Sequence, residues 1–389
     1  MTEVEIPATH ENWDLPPQNR WAFQNIDKIL RVAPVARGPG PIRDLPVDLR
    51  DLAAISVARP DGSRASLAEF WDETFTDGFL ILGQGTVVAE GYFNAMTPAT
   101  RHLSQSMAKS ITSALAGIYI TRGLIDVDAP LSEAIPALAG SAYADATLRH
   151  VLDMRSGVRF GEDYTDPAAE VCQLDRTSGW KPRRDGPGPK TIREFIPTLT
   201  KARAHGGDYE YRSIETEIIA WACEVAGGDR LPVLYGREIW SKLGAEHDAQ
   251  FTVDAEGTAL ADGGFCATLR DYGRFGLMHL YEGTFNGRQI VPREWVRACR
   301  TGDPAPFRRN GADLLAHYPR ACYSNQWWVL DRDRGIAAAR GANGQLIYID
   351  PGADLVIVKL SSWPDFVNDR LSLYTTRMVQ AVTRFLAGG

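Results

Sequence analysis

A serine and a lysine three residues apart, Ser106 and Lys109, are the pair in this chain whose types and spacing point most directly to chemistry. On a helix, side chains three residues apart share a face, so the amine of Lys109 would lie beside the hydroxyl of Ser106. A neutral amine in that position can take the hydroxyl proton and activate the oxygen as a nucleophile. The pair therefore predicts a serine hydrolase that uses lysine as its general base.

The residues after Ser106 predict the helix that this pair requires. Apolar side chains recur at helical spacing, at Met107, Ile111, Ala114, Leu115 and Ile118. Gly123 follows as the expected C-terminal stop, and Ser104 is the expected N-cap. In the first helical turn the backbone N–H of Ser106 has no intrahelical partner, so it can donate to an oxyanion. The alternative is an amphipathic helix on which Ser106 and Lys109 face solvent.

Lys109 needs a special environment to act as a base at neutral pH. The reference pKa of lysine lies about 3 units above neutrality, so a neutral amine requires burial and positive potential nearby. The N-terminus of the helix supplies part of that potential.

The same four-residue pattern occurs a second time, at Ser178 and Lys181. Gly179 lies within it, and the residues that follow, 182–189, are rich in Pro and Gly. Such composition predicts a loop, in which residues three apart do not share a face. We interpret this second copy as accidental.

Two further segments could complete a catalytic site. Tyr211 precedes an apolar helical pattern and could relay a proton between nucleophile, lysine and leaving group. The alternative is an ordinary half-buried tyrosine with Ser213 as the helix N-cap, and Tyr209 is a nearby competitor. The small residues around Gly341 predict a strand edge where a substrate carbonyl could approach a main-chain N–H. A hairpin turn at residues 343–344 explains that segment equally well.

Composition bounds the class of protein. The chain has 389 residues, of which 44% are hydrophobic, so it can bury a large core. A net charge of −7 and the lack of a basic cluster with aromatic residues argue against nucleic-acid binding. Seven histidines without metal-ligand spacing and five scattered cysteines support neither a metal site nor a disulfide framework. The start has no signal-peptide pattern and no run is long enough to span a membrane, so we expect a soluble cytoplasmic protein.

The order of elements predicts an α/β (α+β) fold with an antiparallel sheet flanked by helices and an inserted, mostly helical lobe. Residues 1–50, rich in Pro and Gly, are expected to form an extended arm. Residues 51–103 and 255–389 are expected to form a discontinuous sheet lobe, and residues 104–254 a helical lobe carrying Ser106 and Tyr211. Strands are predicted at 79–82, 87–93, 325–330, 335–340, 345–349 and 355–360, and helices at 66–75, from Ser106 onward and at 370–386.

The order of Ser-x-x-Lys, a later Tyr-x-Ser and a Gly-rich strand edge resembles the serine β-lactamase and penicillin-binding superfamily. Within it, the chain is similar to the 6-aminohexanoate-dimer hydrolases, also called nylon-oligomer hydrolases. The similarity rests on long matches spread over the chain: PPQNRWAF at 16–23, EDYTDPA at 162–168, QWW at 326–328 and VKLSSWPD at 358–365.

This resemblance implies Ser106 as nucleophile, Lys109 as base and Tyr211 as proton donor, acting through an acyl-enzyme without any cofactor. It also implies an oxyanion hole formed by the N–H groups of Ser106 and Ala342. The chain departs from β-lactamases at residues 339–341, Ala-Arg-Gly in place of Lys-Thr-Gly, so strong β-lactamase activity is not expected. Arg340 would partly substitute for the missing lysine if it points inward.

The resemblance also implies the substrate-binding residues. An aspartate in the long loop, Asp175 here, would hold the amino end of a linear amide, and Tyr164 would contact the amide. Asp262 stands where the relatives carry asparagine, while Ser213 and Gly341 complete the expected site. The alternative for Asp175 is a solvated loop charge.

The specific hypothesis is a 6-aminohexanoate-linear-dimer hydrolase that acts on a small amide or ester, with a homodimer as the default oligomeric state. A short-chain carboxylesterase remains open, as does a penicillin-recognising sensor that is acylated without turnover.

Overall fold

The computed structural model of the chain describes residues 7–183 and 186–388. Residues 1–6, the beginning of the expected arm, lie outside the described residues. The helices are α1 Asn19–Ala22, α2 Leu67–Glu73, α3 Met107–Thr121, α4 Leu131–Ala134, α5 Leu148–Leu152, α6 Glu170–Thr177, α7 Ile192–Phe195, α8 Ile214–Gly227, α9 Leu231–Tyr235, α10 Ser241–Leu243, α11 Leu269–Leu280, α12 Arg293–Ala298, α13 Ala312–His317 and α14 Asp369–Leu386. The strands are β1 Val32–Val35, β2 Ser56–Ala58, β3 Arg64–Ser66, β4 Thr76–Gly83, β5 Thr86–Tyr92, β6 Arg101–Leu103, β7 Ala249–Thr252, β8 Phe265–Thr268, β9 Thr284–Phe285, β10 Arg288–Gln289, β11 Cys322–Ser324, β12 Trp327–Asp331, β13 Ile336–Gly341, β14 Gln345–Asp350 and β15 Leu355–Ser361.

A seven-stranded antiparallel sheet, in the order β11-β12-β13-β14-β15-β4-β5, forms the main layer of the fold. Its two halves are far apart in sequence and join where β15 pairs with β4. Alternate residues of the strands enter different cores: Ala337 and Ala339 pack in the cluster that contains α3, and Ala338 packs with residues of α14. This alternation buries both faces of the sheet between helices, and it confirms the predicted fold class.

Local sequence signals predicted most of the sheet lobe correctly. The four C-terminal strands are confirmed as β12 to β15, each within two residues of its expected bounds, and the final helix is confirmed as α14. The short helix after Ser66 is confirmed as α2, closed by a capping box between Ser66 and Glu69. The hairpin at residues 83–85 connects β4 to β5. The expected domain boundaries stay a prediction.

Helix α3 lies in the centre of the molecule and is buried from Met107 to Tyr119. Its polar side chains are therefore not on a solvent face. Ser110 and Ser113 instead donate to the carbonyl oxygens of Gln326 and Asn325, at 2.7 and 2.6 Å. These bonds satisfy the buried hydroxyls and attach α3 to the start of β12. The alternative of a solvent-facing Ser106 and Lys109 is wrong.

The start of α3 is set by a second, smaller sheet in the order β1-β7-β8-β6. Strand β6 pairs with β8 and leads directly into the turn before Ser106. Gln105 adopts φ of 49° there, a conformation that residues other than glycine rarely take. Ser106 itself occupies the N-cap position. Ser104 is therefore not the N-cap, and its hydroxyl donates to the carbonyl oxygen of Gln105 at 3.0 Å.

No helix in the ranges 7–183 and 186–388 is long and apolar enough to cross a membrane.

Candidate active site

The structure brings Ser106 and Lys109 together at the start of α3. The amine of Lys109 donates to Ser106 Oγ at 3.0 Å and to Ser213 Oγ at 3.1 Å. Ser213 precedes α8, whose N-terminal turn faces α3. Its hydroxyl is directed at Lys109, and it makes no N-cap hydrogen bond to α8. The simple capping interpretation of Ser213 is therefore wrong.

Lys109 is almost completely buried, with 1% of the residue exposed, and it is paired with a carboxylate. Its Nζ lies 3.1 Å from Asp262 Oδ2 and 3.2 Å from the main-chain oxygen of the same residue. Burial lowers the pKa of Lys109, but the carboxylate of Asp262, with Tyr211 and Glu162, outweighs burial and leaves this pKa above its usual value. In the empty site Lys109 is therefore an ammonium ion.

Asp262 is placed by a tight loop between β7 and β8. The two glycines that follow it have no room for side chains: a Cβ on Gly264 would fall 2.1 Å from Thr252 Oγ1, and one on Gly263 would fall 2.9 Å from the ring of Trp180. The loop can therefore run close to the sheet and present Asp262 to α3. Sequence reasoning placed Asp262 at the substrate, whereas the structure places its carboxylate on Lys109.

Tyr211 lies on the other side of Lys109. The Nζ of Lys109 is 5.0 Å from the centre of the Tyr211 ring, which stacks at 5.7 Å on Trp328. Burial raises the pKa of Tyr211, and although Lys109 and Ser106 lower it, the net pKa is above the usual value. Tyr211 is therefore a protonated phenol at neutral pH, beside both the hydroxyl and the amine. Tyr209, its competitor, packs against Phe307 and Tyr323, in the cluster on whose edge Tyr211 lies.

Two carboxyl groups, Glu162 half-buried and Glu217 buried, belong to the site although sequence reasoning gave them no role. Glu162 accepts hydrogen bonds from the backbone N–H and the hydroxyl of Ser213 and, at 2.8 Å, from the hydroxyl of Tyr164. Glu217 accepts from the backbone N–H of Asp262 at 2.9 Å. Glu217 lies one helical turn after Ser213, so the i,i+4 spacing on α8 was a signal that could have revealed it.

Asp175 and Tyr164 lie near the carboxyl groups of Glu162 and Asp262, and we call this group of residues the acidic side of the site. Asp175 was expected in a loop, but it lies on α6, which the Pro and Gly residues that follow had obscured. Its carboxylate has no ion pair or hydrogen bond within the described residues. Burial and the carboxylates of Asp262, Asp14 and Glu162 raise the pKa of Asp175 to about 8, although Lys181 lowers it. A solvated loop charge is thus the wrong description of Asp175.

The second Ser-x-x-Lys copy does not form a pair. Lys181 Nζ forms an ion pair with Asp14 and donates to the carbonyl oxygen of Glu11. Ser178 Oγ donates to the carbonyl oxygen of Asp175 at 3.1 Å. The hydroxyl and the amine therefore serve different contacts, and the accidental interpretation holds.

The end of β13 comes very close to the turn at residues 104–106, which leads into α3. A Cβ on Gly341 would fall 2.5 Å from the carbonyl oxygen of Ser104 and 3.0 Å from the backbone nitrogen of Ser106. Glycine is therefore needed for this approach, which brings the N–H of Ala342 to the same edge. The same segment is also the hairpin between β13 and β14, with Asn343 at φ of 55°. The two interpretations of this edge are thus compatible.

Arg340 has no carboxylate partner within the described residues. Its guanidinium lies over the ring of Trp328, 5.7 Å from the ring centre. Burial lowers the pKa of Arg340, but guanidinium remains charged at any physiological pH. It is a cation held by aromatic stacking at the end of β13.

Comparison with known proteins identifies relatives along nearly the whole chain. The Beta-lactamase family model matches residues 64–381. A 6-aminohexanoate-dimer hydrolase from Paenarthrobacter ureafaciens is 38% identical over 357 residues, covering 92% of this chain and 88% of the relative.

Solved structures show the same architecture. A Bacillus anthracis protein assigned as a 6-aminohexanoate-dimer hydrolase superposes with a TM-score of 0.89 at 29% identity, over 98% of this chain and 99% of that one. A Bacteroides dorei protein assigned as a β-lactamase gives a TM-score of 0.62 at 21% identity, over 81% and 97% of the two chains. The second similarity concerns the fold alone.

We expect Gly341→Ala to slow the reaction of Ser106 with a fluorophosphonate probe at least about tenfold, because the added methyl group pushes the strand edge away from the Ser106 N–H. Gly83→Ala is the matched control, since a Cβ there meets its nearest atom at an ordinary 3.5 Å. Labelling is followed by intact-protein mass spectrometry. Equal labelling rates for the two variants would show that the close approach does not matter to Ser106.

Proposed function

The chain belongs to the β-lactamase family, and from this premise we propose that it is a serine hydrolase in which Ser106, Lys109 and Tyr211 cleave linear amides through an acyl-enzyme. The observation that carries the proposal is the single contact network in which buried Lys109 reaches Ser106 Oγ at 3.0 Å with Tyr211 alongside. Nucleophile, base and proton donor need this mutual reach to act in one reaction.

The three side chains take different steps, and Lys109 must first lose its extra proton. Ser106 Oγ bonds to the substrate carbonyl carbon while its proton passes to the neutral amine of Lys109. Tyr211, a phenol at neutral pH, can donate to the departing nitrogen and recover a proton through Lys109. Water then hydrolyses the ester on Ser106, so the net reaction consumes one water for each amide bond.

The N–H groups of Ser106 and Ala342 are the proposed oxyanion hole. Within the described residues, the backbone hydrogen bonds at the start of α3 begin with Met107, which donates to the carbonyl oxygen of Ser104. The Ser106 N–H is therefore available to a substrate oxygen at the positive end of the helix. The close approach of Gly341 to the backbone of Ser106 supports its neighbour Ala342 as the second donor.

The substrate is proposed to be a short linear amide with an amino end, as in the 6-aminohexanoate dimer named for the relatives. Asp175 has no partner of its own in the described residues and can accept an alkylammonium group. Tyr164, whose hydroxyl donates a hydrogen bond to Glu162, would lie along the bound substrate between Asp175 and Ser106. A well-matched cation would lower the pKa of Asp175 and hold it as a carboxylate.

Replacing Ser106 with alanine is expected to abolish hydrolysis of both the 6-aminohexanoate linear dimer and p-nitrophenyl acetate, because the other serine hydroxyl on Lys109, that of Ser213, donates to Glu162 and does not lie at the start of α3. Ser178→Ala tests the second Ser-x-x-Lys copy and should retain full activity. Hydrolysis of the linear dimer is measured by chromatography and hydrolysis of p-nitrophenyl acetate by absorbance. Residual activity in Ser106→Ala with loss in Ser178→Ala would transfer the nucleophile assignment to Ser178.

Asp175→Asn is expected to raise KM for the linear dimer at least about tenfold at pH 9 and to leave KM for p-nitrophenyl acetate within about twofold, because only the dimer carries an ammonium group. With the native residue, KM for the dimer should fall as the pH rises through about 8, where Asp175 becomes a carboxylate. The variant should show no such fall. Equal effects on the two substrates would assign Asp175 a role in the fold.

A further inference from the structure

The base of this site is held by a carboxylate that the reaction as described does not use. Lys109 Nζ and Asp262 Oδ2 are 3.1 Å apart, and their side chains are 2% and 12% exposed. An ion pair this well shielded from water stabilises the ammonium form of lysine strongly. The reaction needs the neutral amine, so Asp262 opposes the first chemical step in the empty site.

Glu217 lies next to Asp262. Its Oε1 accepts from the backbone N–H of Asp262 at 2.9 Å, and the residue is 3% exposed. Burial and the adjacent Asp262 raise the pKa of Glu217 well above its usual value, which favours its protonated form. Asp262 directs one carboxylate oxygen, Oδ2, at Lys109.

The Asp262 carboxylate has a second neighbour besides Lys109. The side chain of Glu217 forms a hydrogen bond with the Asp262 side chain. Asp262 therefore contacts the amine of Lys109 and the carboxyl group of Glu217.

More acidic groups than basic groups surround Lys109. Every neighbouring element contributes a titratable group that faces it. Tyr211 precedes α8 and Glu217 lies on α8, while Glu162 lies in the loop after α5 and Asp262 in the loop after β7. Tyr164 and Asp175 lie farther from Lys109, before α6 and on α6. Burial raises the pKa of Glu162 and of Asp175. These acidic groups outnumber the one cation among them, Lys109, so a second cation can be received beside Asp175.

We propose that Asp262 is a positioning residue that couples the protonation of Lys109 to substrate charge: it holds the ammonium form in the empty site, and a cationic substrate entering the acidic side releases the proton. This inference rests on the proposed roles of Ser106 and Lys109. The substrate cation competes for the field of Asp262, Asp175 and Glu162, and its own charge disfavours a second positive charge on Lys109. The base is thereby activated by the substrates that carry an amino end.

The proton balance is simple. The ammonium group of Lys109 gives one proton to bulk water when the cationic substrate binds. Its free electron pair then accepts the hydroxyl proton of Ser106 as Oγ bonds to the carbonyl carbon, and Tyr211 protonates the leaving group. A neutral substrate triggers no such release, so its acylation requires solvent pH high enough to deprotonate Lys109 against Asp262.

The test compares two esters that differ only in charge, p-nitrophenyl hexanoate and p-nitrophenyl 6-(trimethylammonio)hexanoate, whose quaternary nitrogen is charged at every pH. The acylation rate at saturating ester is measured as the burst of p-nitrophenol across pH 6 to 10. For the native chain, the cationic ester should reach its plateau at least about one pH unit below the neutral ester. In Asp262→Asn, the profile of the neutral ester should move down by a similar amount and the difference should largely disappear.

Asp145→Asn is the matched control, because it removes a carboxylate from another lysine ion pair, with Lys201 at 2.6 Å, on the surface. Its profiles should match those of the native chain, and thermal unfolding should establish that Asp262→Asn is folded. Coincident profiles for the two esters in the native chain, or an unchanged difference in Asp262→Asn, would overturn the inference. A burst that survives Ser106→Ala would instead overturn the proposed function, so the two failures are distinguishable.

Discussion

The whole site depends on one buried positive charge, the ammonium group of Lys109. Moving such an ion from water into a protein interior costs several kcal/mol unless charge and hydrogen bonds replace the lost hydration. Here the carboxylate of Asp262 and the hydroxyls of Ser106 and Ser213 replace it. These partners come from the start of α3, the residue before α8 and the loop after β7. The contacts that stabilise the charge on Lys109 Nζ therefore hold three segments that are distant in sequence against one another.

The same compensation shapes the chemistry. Contacts that make a lysine tolerable in the interior stabilise its charged form, whereas a general base must be neutral. Stability therefore favours the protonated form of Lys109 and the proposed function needs the neutral form, and a substrate cation would shift the balance toward the neutral form. Two tight backbone features lie at the same place: Gln105 takes a left-handed conformation directly before Ser106, and Gly341 approaches without room for a methyl group. Such features persist only where the surrounding structure holds them in place.

The fold was largely predictable because its signals are local. The strands β12 to β15 and the helices α3 and α14 follow apolar periodicities that depend only on which residues are neighbours in the sequence. The errors occurred where tertiary pairing overrides local preference. Ser104 has the chemistry of an N-cap, but the pairing of β6 with β8 and the turn at Gln105 move the helix start to Ser106. Asp175 looked like a loop residue because the Pro and Gly residues after α6 dominate the local composition.

The sequence by itself determined that Ser106 lies beside Lys109, the proposed nucleophile and base, because three-residue spacing on a helix brings these two side chains together. It could not determine the charge state of that base. Asp262 is 153 residues from Lys109 in the chain. Glu162 and Glu217 are also distant from the pair in the sequence. Only the tertiary structure brings these carboxyl groups together, and since electrostatic energy depends on distance through space and on burial, only it decided how Lys109 is protonated.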